Sequence, residues 1–324
     1  MATRYPCRIF LLFKFTAKYI FVMRIIVSPT HDPYFNLAAE EYLLRNYKEE
    51  VLYLYVNQPT VVVGKHQNLL SEINYRFVVE QDIALARRIT GGGAVFHDQG
   101  NLNYAFFAAA ETGAQINFPK YLNRVIQVLQ RLGINAVFEG KNNLRTEGYK
   151  ISGNAGHVFK TIALHHGTLL VNANLQMLSA CLKTEEGRYT DRAVKSVRAH
   201  VTNLSQFNPD ITIETLIRTF CEIIQSEANT FSAPETAAIE QLADEKFRSW
   251  NWIWGYSPPY TFERSATPWG KLKLSVEKGL IVDASIEYNS RWQDQLLGMP
   301  HDYPSLSIFA QRQGLPPEEI WWFF

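Results

Sequence analysis

The stretch Arg87-Arg88-Ile89-Thr90-Gly91-Gly92-Gly93-Ala94-Val95-Phe96-His97-Asp98 runs on through Gly100-Asn101-Leu102-Asn103-Tyr104. It sets three consecutive glycines between strand-like runs at 85–89 and 94–97. Glycine admits backbone dihedrals closed to other residues and lets the chain approach a ligand closely. Successive N–H groups in such a loop can form a nest for a phosphate or carboxylate. Arg88, just before the glycines, is placed to add a charge-assisted bond. No Gly-Lys-Ser/Thr follows, so this is not a Walker loop, and no Gly-x-Gly-x-x-Gly opens a helix. By itself a glycine run reads equally well as a structural hairpin.

The surrounding sequence mixes strands and helices without steady alternation. Residues 24–28 form a β-rich run, and Asp32-Pro33 opens a helix over 33–47, with Asp32 as N-cap and Pro33 at its first position. Strand-like runs at 52–56 and 60–64 flank Asn57-Gln58-Pro59, which reads as a turn between them. Helical periods appear at 74–81, 118–132, 211–227 and 234–249, and further strands at 102–107, 136–138, 149–152 and 162–172. Trp250, Trp252 and Trp254 bunch before Pro258-Pro259, and the runs 271–275 and 280–288 alternate around Glu277-Lys278-Gly279, a hairpin turn. The pattern is that of an α+β protein.

Composition narrows the class. At roughly 100–200 residues per domain, 324 residues imply two domains, or one with an appendage. Lys+Arg is 32 against 31 Asp+Glu, a net charge of +1, which argues against holding nucleic acid or a membrane surface by bulk charge. The 47% of hydrophobic residues suffice for a core and exclude a wholly disordered chain. Cys7, Cys181 and Cys221 are dispersed and odd in number, which fits a reducing cytoplasm and speaks against a disulfide framework or zinc. Residues 1–22 are apolar and basic with no acid, but Lys14 and Lys18 interrupt them. They lack the pattern of a secretory signal or membrane span, while the lack of acids leaves an organellar transit peptide open; Met23 is the expected start, with 1–22 a mis-assigned or disordered extension.

Three other segments bear on chemistry. Gly140-Lys141-Asn142-Asn143 precedes Gly148-Tyr149-Lys150-Ile151-Ser152-Gly153-Asn154-Ala155, in which one lysine stands among small residues that let a ligand oxygen approach. The plain alternative is an exposed strand lysine. In Leu164-His165-His166-Gly167-Thr168 the two histidines alternate across a strand, so only one can face a site. That counts against a two-histidine metal site, and no metal ligand set is expected. Lys195-Ser196-Val197-Arg198, with Thr202-Asn203-Leu204, adds positive charge.

In this order, and with Asp32-Pro33-Tyr34-Phe35-Asn36-Leu37-Ala38 and Gly64-Lys65-His66-Gln67-Asn68 before them, these segments resemble the lipoate–protein ligase A family from about residue 23 to the end. The resemblance implies a catalytic core of the class II aminoacyl-tRNA-synthetase and biotin-ligase type over 23–250, with a small α+β accessory domain at 251–324. It implies activation of lipoate with ATP to lipoyl-AMP, then transfer to a lysine of a lipoyl domain, as in 2-oxoacid dehydrogenases or the glycine cleavage H protein. Nucleic acid and membrane are not expected as partners. Lys150 matches the family's essential lysine. Arg88, Thr90, Gly91, Gly92, Gly93, Val95, His97, Asn142, Asn143, Ser152, Gly153, Ala155 and His166 match substrate- and adenylate-binding positions, with His166 the inward histidine.

Two departures stand out. The family's Gly-Arg-Asn-Asp appears as Gly140-Lys141-Asn142-Asn143, so the carboxylate associated with the nucleotide's Mg²⁺ is replaced by an amide. Thr90 stands where Ser is common. The competing readings are an acyltransferase of the same fold that uses a cysteine thioester, a transferase of preformed acyl-adenylate, and a non-catalytic binder of lipoyl domains. Cys181 and Cys221 lie in apolar helical contexts that suit buried small side chains better than nucleophiles.

Overall fold

The computed structural model describes residues 23–110, 118–140, 142–185, 187–197 and 199–324. The leader 1–22, Cys7, Lys141 and Arg198 lie outside the described residues. The fold is mixed α+β. An eight-stranded sheet runs in the order Ala228–Asn229, Arg24–Val27, Val51–Tyr55, Asn101–Ala109, Ile162–Leu170, Tyr149–Phe159, Asn143–Thr146 and Val137–Glu139. Its first pairings are parallel and the rest antiparallel.

Period-two alternation sorts this sheet's side chains into two cores. Leu52, Leu54, Leu102, Tyr104 and Phe106 face helices Phe118–Arg131 and Ile213–Ile224. Val51, Tyr53, Tyr55, Ala105 and Phe107 face helices Pro33–Asn46 and Ala233–Leu242. Helix Pro33–Asn46 starts as its sequence dictates, with the Asp32 carboxylate accepting from Tyr34 N at 2.9 Å.

The turn expected at 57–59 is a crossing between sheets. Val51–Tyr55 belongs to the large sheet, whereas Thr60–Val63 is the centre of a three-stranded sheet between Ala84–Arg87 and Val95–His97. Asn57 makes the difference: it is buried, accepts from Asn36 Nδ2 at 2.8 Å and donates to His97 Nδ1 at 3.0 Å, so the chain is pinned between two layers.

A four-stranded sheet, Tyr189–Asp191, Tyr260–Thr267, Gly270–Glu277 and Leu280–Ile286, forms the C-terminal region. Lys278 and Gly279 both have positive φ, as a two-residue hairpin turn requires. The edge strand Tyr189–Asp191 comes from before residue 250, so this sheet draws on both sides of the boundary drawn from the sequence. One core joins it to the three-stranded sheet, with Val61, Val63 and Phe96 packing in the same cluster as Phe262, Leu274 and Trp292. No helix among the described residues is long and apolar enough to cross a membrane.

Three buried histidines tie stability to pH. Burial pushes His97 and His165 down to about 3 and His301 to about 4. In the unfolded chain they protonate near pH 6.5, so their contribution is whole above that and lost as pH falls toward 3–4. His301 sits far from the glycine loop, between Tyr260 and the Phe323 carbonyl. We expect unfolding free energy, measured in urea at pH 7, 6 and 5, to fall with pH. In His301→Gln its slope at pH 5 should be shallower by about one proton, roughly 1.4 kcal/mol per pH unit.

Candidate active site

Arg87 and Arg88 organise the site from one dipeptide. Arg87 is fully buried and forms no ion pair with a described residue. Its guanidinium donates to the carbonyls of Gly64 (3.0 Å), Gln67 (2.8 Å), Trp252 (3.0 Å) and Ile253 (2.8 Å), and to Ser257 Oγ (2.9 Å). Trp252 answers with its indole N–H to the Arg87 carbonyl at 2.7 Å. Burial lowers the pKa to about 10, so the charge survives at neutral pH.

Arg88 braces the glycine loop from behind. It donates to Gly91 O at 2.7 Å, Gly93 O at 2.8 Å, Val62 O at 3.2 Å and Thr90 Oγ1 at 3.0 Å. The sequence reading placed this guanidinium on the ligand's oxygens; the structure turns it to the loop's own carbonyls. Gly92, at φ +96°, takes the left-handed turn that allows this. The N–H groups of Gly91, Gly92 and Gly93 have no acceptor among the described residues.

Behind Thr90 runs a chain the sequence reading touched only in part. Glu40, fully buried, accepts from Tyr55 Oη at 2.9 Å and from His166 Nδ1 at 2.8 Å. His166 Nδ1 faces the Glu40 carboxylate, and its Nε2 is hydrogen-bonded to the Thr90 hydroxyl at 2.8 Å. His166 is thus the histidine turned toward the glycine loop. His165 points through the sheet to Asn154 and the rings of Tyr104 and Tyr121. His97 accepts at Nδ1 from Asn57, which leaves its Nε2–H without a partner among the described residues. Glu40 went unread, although a charged residue one turn after Asn36 inside an apolar helix face is the signal that finds it.

Just past the loop, against Ala94–Phe96, lies a cavity of about 1040 Å³, which Arg88, Thr90, Gly91, Gly92, Gly93, His97, Ala155 and His166 do not themselves line. Val95, Lys150, Ser152 and Gly153 line it, together with Glu72 and Ser196. The Lys150 side chain folds back over Gly153, where a Cβ would stand 3.1 Å from Nζ. No described residue bonds its ammonium, and burial, then Arg145, lowers its pKa. Ala155 lies on the same strand beneath Gly92. Asn142 and Asn143 do not line the cavity; Asn142 instead donates to the Asn154 carbonyl at 2.8 Å, and Asn143 pairs with Gly153 across the strands.

A family model for the lipoyl protein ligase A/B catalytic domain matches residues 32–225. The chain belongs to this family. It is 36% identical over 265 residues to lipoate–protein ligase 1 of Staphylococcus aureus, covering 79% of this chain and 81% of the relative. To a lipoate–protein ligase of Bacillus subtilis it is 36% identical over 269 residues, with the same coverage. Among solved structures it resembles LipL1 of P. falciparum in complex with lipoate (TM-score 0.63, 25% identity, 89% of this chain and 94% of that one). It also resembles a lipoate–protein ligase A bound with ATP (TM-score 0.60, 26% identity, 71% and 98%).

The lipoyl ligase chemistry raises two questions of donors. The described residues do not assemble a magnesium site. Asn143 brings no charge, and of the carboxylates lining the cavity Glu72 is bound to Ser196 and Glu185 to Arg188. No cluster of three or more His, Cys, Asp or Glu side chains occurs among the described residues. Nor does a cysteine among the described residues stand as a nucleophile at the cavity. Cys181 is buried with its thiol pushed up to about 11, Cys221 is raised as well, and neither lines the cavity.

Arg87→Met leaves at least four carbonyls without their donor. We expect a loss of about 3 kcal/mol or more in urea unfolding, well above the loss for Arg45→Met at the exposed end of helix Pro33–Asn46.

Proposed function

We propose that this protein activates lipoate with ATP and hands the lipoyl group to a lysine of a lipoyl domain. The observation that carries this reading is the unbonded Lys150 ammonium over Gly153, in a cavity large enough for an acid and a nucleotide together. A lipoate carboxylate oxygen attacks the α-phosphorus, the bond to pyrophosphate breaks, and a mixed anhydride remains. Negative charge gathers on the α-phosphoryl oxygens in that step, where a fixed cation and backbone N–H donors act most strongly. Lys150 supplies the cation and Gly91–Gly93 the N–H groups, while Arg88, Thr90, His166 and Glu40 hold the loop in place. In the second step the neutral amine of the acceptor lysine attacks the acyl carbonyl, AMP leaves, and the amine's proton passes to solvent. The anhydride is already activated, so the protein needs no nucleophile of its own.

The named relatives support this assignment, as do homologues crystallised with ATP and with lipoate. A Thermoplasma acidophilum ligase described together with its E2 lipoyl domain, at 28% identity and TM-score 0.61, supports a lipoyl domain as acceptor. We extend that to the lipoyl domains of 2-oxoacid dehydrogenases and to the glycine cleavage H protein. Asn143 in place of Asp favours one second reading, transfer from preformed lipoyl-AMP alone.

ATP–pyrophosphate exchange tests the proposal, with lipoate, octanoate and biotin compared. Lipoate-dependent exchange supports the ligase. Absence of exchange, with transfer from synthetic lipoyl-AMP intact, replaces it by the second reading. Lys150→Ala should lower both half-reactions by at least about 10³-fold with an unchanged circular dichroism spectrum; near-normal turnover rejects its role. Cys181→Ser should keep turnover within about threefold, and loss of acyl transfer alone would restore the thioester route.

A further inference from the structure

We propose that Glu72 is a positioning residue that fastens the chain crossing over the cavity, through Ser196, and so retains the acyl-adenylate until the acceptor arrives. This rests on the ligase reading above. The crossing leaves the C-terminal sheet at Asp191, where the carboxylate accepts from Asn68 Nδ2 and Lys195 Nζ, both at 3.0 Å. It rejoins the large sheet beside the catalytic lysine: Lys150 N donates to His200 O at 3.0 Å and Thr202 N to Lys150 O at 3.1 Å. Between those ends Val194 N donates to His66 O at 3.4 Å, Gln67 Nε2 donates to Val194 O at 3.3 Å and Lys195 Nζ donates to Ser71 Oγ at 3.0 Å, and the buried hold is at Ser196. The Ser196 N–H donates to Glu72 Oε2 at 3.1 Å, and its hydroxyl donates to the same oxygen. That hydroxyl in turn accepts from Ala94 N at 2.9 Å and Gln67 Nε2 at 3.2 Å.

One serine therefore joins the crossing, the glycine loop and the helix that carries Glu72. Gly93 makes the contact possible, since a Cβ there would lie 2.8 Å from Ser196 Oγ. Apolar packing does little of the holding: Val197 is 91% exposed and Val194 48%. Glu72, in contrast, is only 5% exposed, and among the described residues no cation bonds it directly, although the Lys195 charge is near enough to favour its ionised form. A carboxylate taken out of water without a bonded cation is costly, and its donors here all come from the crossing. Glu72, Ser196, Ala199 and Val201 line the same cavity as Lys150, so a loosened Ser196 opens the wall beside the intermediate.

Two measurements on the full chain test this. Hydrogen–deuterium exchange reads the fastening without any chemistry: amides of 191–201 should exchange about tenfold faster in Glu72→Ala, and close to wild type in Glu72→Gln, which keeps an acceptor in place. AMP release with lipoate and ATP but no acceptor reads retention. It should rise about tenfold in Glu72→Ala and Ser196→Ala, AMP formed per lipoyl group transferred should exceed one, and the double variant should be no worse than either single. Ser196→Ala, which removes one hydroxyl, carries the test where Glu72→Ala folds poorly. Unchanged exchange of 191–201, tight one-to-one coupling in Ser196→Ala, or additive effects overturn the proposal. Wild-type protein that forms no AMP from lipoate and ATP refutes the ligase reading instead, and the exchange data still judge the fastening.

Discussion

Two adjacent guanidinium groups, sunk into the interior and fed by carbonyl oxygens, hold this structure in its working shape. Arg87 reaches the Gly64–Gln67 segment and the helical turn at Trp252–Ile253, while Arg88 reaches the carbonyls of the glycine loop. A planar fork with five N–H donors suits this task, because it can satisfy several carbonyls at fixed angles where a lysine would offer one point of charge. With its carbonyls drawn back toward Arg88, the loop leaves its N–H groups for other partners. With Trp252 and Ile253 drawn to Arg87, the C-terminal region sits against the same strand. The loop, the cavity wall and the junction of the two regions thus share one anchor.

The charge balance of the whole chain takes on meaning from this arrangement. Thirty-two basic residues against 31 acidic ones leave the surface close to neutral. The interior, however, sorts its charges by task. Arg87 and Arg88 are buried and spent on carbonyls, and Glu40 on Tyr55 and His166. Lys150 alone of the cations named for the site keeps its ammonium unbonded by described residues and faces the cavity. Lys183 and Lys195 line the same cavity, so Lys150 is the inner member of a set of cations around it.

Rigidity is distributed unevenly around the cavity. Behind the glycine loop a chain of hydrogen bonds runs from Tyr55 through Glu40, His166 and Thr90 to Arg88. The front wall is a crossing segment with exposed valines, held by polar bonds at Val194, Lys195 and Ser196. An enzyme that makes a hydrolysable anhydride and must later admit a protein-borne lysine has use for both: a fixed surface to align the acid, and a wall that can yield.

Much of this was legible in the chain itself. Local chemistry determined helix Pro33–Asn46 with its Asp32 cap, the Lys278-Gly279 hairpin, the opposed faces of His165 and His166, and the motif order that marks the family, because caps, turns and side-chain period act over a few residues. Tertiary structure alone decided the rest. Only long-range contact sends the chain after Asn57 into a second sheet, or brings Tyr189–Asp191 to strands 70 residues later. Only the folded chain brings Arg88 against the carbonyls of Gly91 and Gly93 as a brace of the loop. Glu40 and Glu72 carry no motif of their own, and Arg87 opens the glycine stretch without its role showing there; their roles come from partners that stand far away in sequence, and no local period encodes such partners.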